Sequence, residues 1–74
     1  MDTLYLVIPC YNEEEVLPET SNQLLAKMQS LMAAEKISEK SRIVFVNDGS
    51  KDRTWEIIQA LHQENPIYQG VCLS

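Results

Sequence analysis

Two short stretches of this 74-residue chain gather the residue types that could do chemistry. One is Pro9-Cys10-Tyr11-Asn12-Glu13-Glu14-Glu15, and the other is Val46-Asn47-Asp48-Gly49-Ser50-Lys51-Asp52-Arg53-Thr54. Each follows an apolar run, Leu4 to Ile8 in the first case and Ile43 to Val46 in the second. Each also precedes a helical pattern. Carboxylates, amides and an aromatic ring therefore collect just after two strand ends. In open α/β sheets, ligands bind in the crevice beyond the carboxyl ends of the strands. Asp48 sits where its strand stops, and Gly49 permits the positive φ or close backbone approach that such a turn needs. Asp52 is placed as a helix N-cap, its carboxylate accepting from backbone N–H groups near Thr54 and Trp55.

The elements that must position these loops are legible from periodicity. Thr3 to Ile8 is the first strand, continuously apolar as expected of a strand covered on both faces. Pro9 is expected to end it. A short turn at Glu13–Glu15 leads into a helix from near Leu17 to Lys36, because Pro18 fits a first turn better than a helix interior. Val16 or Leu17, then Leu24, Leu25, Met28, Leu31 and Met32 recur at spacings that make one apolar face. Arg42 to Asn47 is the second strand, and Arg53 to about Gln63 the second helix, stopped by Asn65-Pro66. Tyr68 to Leu73 reads as a third strand interrupted by Gly70. The fold class is α/β, in the order β-α-β-α-β.

Right-handed crossovers make this half of a doubly wound sheet, with parallel strands in sequential order and both helices on one face. Yet both faces of the first two strands are apolar. One face is expected to be uncovered within residues 1–74, which then form the N-terminal part of a larger single domain. Isolated, such a piece is expected to self-associate or to fold poorly.

Composition narrows the classes further. A chain this short buries only about 60% of its extended surface, so one core is marginal. Apolar residues make up 45%, which argues against disorder. The net charge of −5 excludes a general nucleic-acid binder or a polybasic membrane surface. No apolar run approaches the roughly 20 residues that span a bilayer. Asp2 and Thr3 stand where a signal peptide has its basic region, so a cytosolic location is expected. Cys10 and Cys72, with His62 the one histidine, give no zinc set and are expected as free thiols in or near the core.

Taken together, Pro9-x-Tyr11-Asn12-Glu13-Glu14 and Asn47-Asp48-Gly49-Ser50-x-Asp52-x-Thr54 resemble the start of family 2 glycosyltransferases. The nearest resemblance is to members with a polyprenyl phosphate acceptor, and it covers essentially the whole chain. It implies the nucleotide-binding half of a GT-A, Rossmann-like fold. It also implies an inverting enzyme that moves a hexose from a UDP- or GDP-sugar to a lipid-phosphate or glycan acceptor at the cytoplasmic membrane face. Mg²⁺ or Mn²⁺ would stabilise the leaving diphosphate.

By the same resemblance Pro9, Tyr11, Asn12, Glu13 and Asp48 match nucleotide-contacting positions. The chemistry fits: the Tyr11 ring offers a flat surface for a base, and the Asp48 carboxylate can accept from an imide N–H such as that of uracil. Glu13 or Glu14 could accept from ribose hydroxyls. Asp52 would act as cap and loop clasp. Plainer roles exist beside these. The glutamates suit a helix N-terminus, Tyr11 could cover its loop, and Asp48 could serve only the turn.

The family's metal-binding Asp-x-Asp and its catalytic base have no counterpart in this sequence. Asn47 stands where relatives often carry a further Asp, which weakens local metal binding. Residues 1–74 alone are expected to be catalytically inactive. The alternative is a non-catalytic α/β module resembling a signalling receiver domain, which would need an Asp ending the third strand, where Val71-Cys72-Leu73-Ser74 has none. An interaction domain that keeps the fold without catalysis is a further alternative.

Overall fold

The computed structural model describes residues 1–73. Its elements are β1 (Tyr5–Cys10), α1 (Leu17–Ala33), β2 (Arg42–Asn47), α2 (Thr54–Glu64) and β3 (Tyr68–Cys72). The three strands form one parallel sheet in the order β1-β2-β3. Ile43 stands opposite Leu6 on one side and Tyr68 on the other. This is the half-sheet expected from the sequence.

Pro9 does not end the first strand. It lies within β1 opposite Val46. The carbonyls of Leu4 and Cys10 accept from the N–H groups of Arg42 and Asp48 at 3.0 Å each, so even-numbered residues of β1 face β2. The nitrogen of Pro9 therefore points to the outer edge, where its missing N–H breaks no ladder bond.

Helix α1 begins as expected. Val16 and Leu17 donate to the Glu13 carbonyl at 3.2 and 2.9 Å, forming the short turn. Pro18 sits in the first turn, where a backbone N–H has no helical partner to lose. The helix stops at Ala33, three residues before Lys36. Glu35 adopts a left-handed conformation, with φ of 58°. The N–H groups of Glu35 and Lys36 return to the carbonyls of Met32 and Leu31 at 3.0 and 2.9 Å. This is a Schellman closure. It turns Ile37 into the core and lets the Ser38 N–H reach the Asp2 carbonyl at 2.7 Å.

Both helices cover the same sheet face. Ile43 and Phe45 of β2, Tyr68 of β3, Leu17 and Met28 of α1, and Ile58 of α2 form the buried core. The Phe45 and Tyr68 rings stack with centroids 6.0 Å apart. The Tyr68 hydroxyl donates to the Ser21 carbonyl of α1 at 2.9 Å, tying sheet to helix. On the opposite face Tyr5 is 59% exposed and Val7 61% exposed. The bare apolar face expected from the sequence is present. Cys10 is buried but Cys72 is exposed, which corrects the expectation of two core thiols. Beyond Cys72 no further strand covers β3 among the described residues.

Gly70 shows how closely α2 seats on β3. A Cβ there would lie 2.5 Å from Ile58 Cγ2 and 3.1 Å from the Trp55 ring. Gly70→Ala is therefore expected to destabilise the fold by about 1–3 kcal/mol through overpacking. The measurement is a urea titration, where the midpoint should fall while the slope stays constant.

Candidate functional site

The C-terminal ends of all three strands lie level, with Cys10, Asn47 and Cys72 in register. From this edge rise the loop between β1 and α1 and the loop between β2 and α2, which carry both acidic stretches. Side chains of the second loop receive three successive N–H groups of the first. Asn12 donates to Ser50 Oγ at 3.0 Å, Glu13 to Thr54 Oγ1 at 2.7 Å, and Glu14 to Asp52 Oδ2 at 3.2 Å. In return the Lys51 N–H donates to Asn12 Oδ1 at 2.8 Å. The Asp48 N–H donates to the Cys10 carbonyl. Two segments nearly 40 residues apart are thus one unit.

Local conformations make this possible. Asn12 takes φ of 50° and Gly49 φ of 70°. Asn tolerates that left-handed region better than most residues, and Gly adopts it freely. Asn47 is buried, accepting from the Ser50 N–H at 3.3 Å and donating to Cys72 Sγ at 3.3 Å. Asp52 Oδ1 accepts from both the N–H and the hydroxyl of Thr54. Asp52 is therefore not the N-cap expected from the sequence: Arg53 holds that position with no side-chain cap bond, and the backbone bond of Asp52 falls on Thr54, the first residue of α2. Desolvation pushes the Asp52 carboxyl upward. The bonds from the Thr54 hydroxyl and N–H and from the Glu14 N–H outweigh it and hold the group below the ordinary 3.8. A carboxyl lowered in this way stabilises the fold above its unfolded pKa, and that contribution is lost as pH falls through the lower folded value.

The residues singled out by sequence fall into two groups. Asn12 and Glu13, with Glu14, Glu15, Val16 and Asp52, line a cleft of about 330 Å³. Pro9, Tyr11 and Asp48 lie outside its lining. Tyr11 is 54% exposed, and Asp48 is exposed beside Gly49. Asn12 Oδ1 accepts from the Lys51 N–H, which ties its carboxamide to the second loop. Another cleft, of about 300 Å³, lies at the opposite end of the sheet and includes Leu25, Met32, Arg42 and Ile67. It sits at the N-terminal ends of the strands, away from the end where such sheets bind ligands.

Sequence reasoning missed Ser50, Thr54 and Asn47 as fixed parts of this edge. The available signals were their place in the Asn47-Asp48-Gly49-Ser50-x-Asp52-x-Thr54 motif and the Asp52-x-Thr54 spacing at a helix start. Asp52 does not fit a metal ligand, for both its oxygens are taken by backbone and hydroxyl donors. No trio of His, Cys, Asp or Glu gathers in metal-binding geometry among the described residues. Burial, with the charge of Glu13 adding to it, pushes the Cys10 thiol up to about 11, so at neutral pH it is neither nucleophile nor ligand. No helix among the described residues is long and apolar enough to cross a membrane.

Residues 5–73 match the model of the family described as glycosyl transferase family 2. An uncharacterised glycosyltransferase of Bacillus subtilis (strain 168) is 54% identical over 71 residues, 96% of this chain and 21% of the relative. A dolichyl-phosphate beta-glucosyltransferase of Trichomonas vaginalis is 43% identical over 85% of this chain and 19% of its own length. A bactoprenol glucosyl transferase of Shigella phage SfV is 42% identical over 84% of this chain and 18% of its own length. The chain thus spans about a fifth of the length of these relatives. No solved structure matches.

Proposed function

Since the chain belongs to glycosyl transferase family 2, we propose that residues 1–74 carry the base and ribose end of a nucleotide-sugar donor site. The Tyr11 ring stacks on the base, and the Asp48 carboxylate accepts from its imide-type N–H. Glu13 accepts from ribose hydroxyls, while Pro9 and Asn12 shape the loop that presents them.

The observation that carries this reading is the occupied state of the Asn12, Glu13 and Glu14 N–H groups. Free N–H groups at a strand-to-helix turn would make an anion cradle. Here side chains of the neighbouring loop already fill it. What remains on offer is acceptors and an aromatic ring, in a chain of net charge −5. That surface suits a base and ribose, which bring donors, and repels a bare diphosphate. A divalent cation on the diphosphate, Mg²⁺ or Mn²⁺, needs carboxylates other than these.

For the whole protein we propose transfer of a hexose from a UDP- or GDP-sugar to a polyprenyl phosphate, with inversion, at the cytoplasmic face of a membrane. The relatives named for dolichyl phosphate and bactoprenol support that acceptor class. The test is an NMR amide titration of the 74-residue chain with UDP and, separately, GDP, each with and without Mg²⁺. Saturable shifts confined to 11–14 and 47–50 are expected with one nucleotide. A dispersed spectrum that ignores both would refute the donor-site reading.

A further inference from the structure

We propose that Asp52 and Thr54 are positioning residues of this site, holding the loop after β1 in fixed register with Asp48 before any ligand arrives. The proposal rests on the donor-site reading for what is positioned, but its structural core can be judged separately.

The Thr54 hydroxyl carries a single proton, and it points to Asp52 Oδ1. Its lone pairs are thereby turned to the Glu13 N–H, 2.7 Å away. Asp52 Oδ1 also accepts from the Thr54 N–H at 2.9 Å, and Oδ2 from the Glu14 N–H at 3.2 Å. The carboxylate thus orients the hydroxyl and directly holds Glu14, while the hydroxyl holds Glu13. Thr54 is fully buried, so water does not replace its hydroxyl. Glu13 and Glu14 take their backbone positions from this pair.

Two substitutions expose the device. Asp52→Asn keeps the shape, but whichever way the amide is turned, its NH₂ faces either the Glu14 N–H or the Thr54 donors. Thr54→Val keeps the volume and removes the acceptor for Glu13. Thr54→Ser keeps the hydroxyl and serves as the conservative rescue.

The experiment is amide hydrogen exchange by NMR on the 74-residue chain and these variants, followed by UDP and GDP titration. In Asp52→Asn and Thr54→Val, exchange at Glu13 and Glu14 should quicken by about tenfold while Ile43 and Phe45 amides keep their protection. Affinity for whichever nucleotide binds should fall by about tenfold, and Thr54→Ser should restore both readouts. Unchanged exchange at Glu13 and Glu14 would overturn the proposal, as would faster exchange with undiminished affinity. If Thr54→Val fails to fold, Asp52→Asn, whose side chain is only partly buried, carries the comparison. If the unaltered chain binds neither nucleotide, the donor-site reading falls. The exchange result alone then sustains or overturns the fixed register.

Discussion

Replacing Phe45 with alanine is expected to leave the chain unfolded at room temperature. Phe45 is fully buried in the central strand and stacks on Tyr68. Removing a buried phenylalanine side chain typically costs about 3–5 kcal/mol, through lost transfer free energy and the cavity left behind. A domain of 74 residues has roughly 4–11 kcal/mol of stability in total. With one sheet face bare at Tyr5, Val7 and Val71, this chain belongs at the low end of that range. The loss therefore matches the whole. Far-ultraviolet circular dichroism should show helix content lost without denaturant, whereas Phe45→Leu should retain a cooperative transition. A folded Phe45→Ala with a normal urea midpoint would contradict the packing described above.

The second large effect concerns binding. Asp48→Ala is expected to lower nucleotide affinity by about 10–100-fold, the range for losing one hydrogen bond to a charged group. Stability should barely move, because the Asp48 side chain is exposed and makes no hydrogen bond among the described residues. Asp48→Asn keeps an acceptor oxygen and should lose less. Titration calorimetry with UDP and GDP reads all three proteins. An alanine variant that binds as tightly as the unaltered chain would remove Asp48 from the base edge and leave it a turn residue.

The contrast between these two residues shows what each part of the chain is for. Phe45 and Asp48 are three positions apart, one inside the sheet and the other past its end. The strand anchors the loop through Ile43 and Phe45, and the loop exposes its carboxylate only because the strand stops at Asn47. Buried Asn47 is part of that stop, holding the Ser50 N–H from within the core edge.

Local pattern determined much of this protein. The element order, the start of α1 at Leu17, the two acidic loops at strand ends and the bare apolar face all followed from runs of like residues and from Pro and Gly placement. Those signals act over a few residues, where sterics and periodicity suffice. The family was legible for a similar reason, since the two motifs are contiguous stretches.

Tertiary structure decided which polar groups are used up inside the protein and which are left for a ligand. Nothing near Asn12 in sequence says that its carboxamide oxygen belongs to Lys51, or that the Glu13 N–H belongs to Thr54. Those partners lie 39 and 41 residues away and meet only because parallel pairing brings both strand ends level. Pro9 is the same lesson on the backbone: its place inside β1 depends on which edge its nitrogen faces, and pairing alone sets that. Periodicity is a local property, whereas hydrogen-bond satisfaction belongs to the assembled fold.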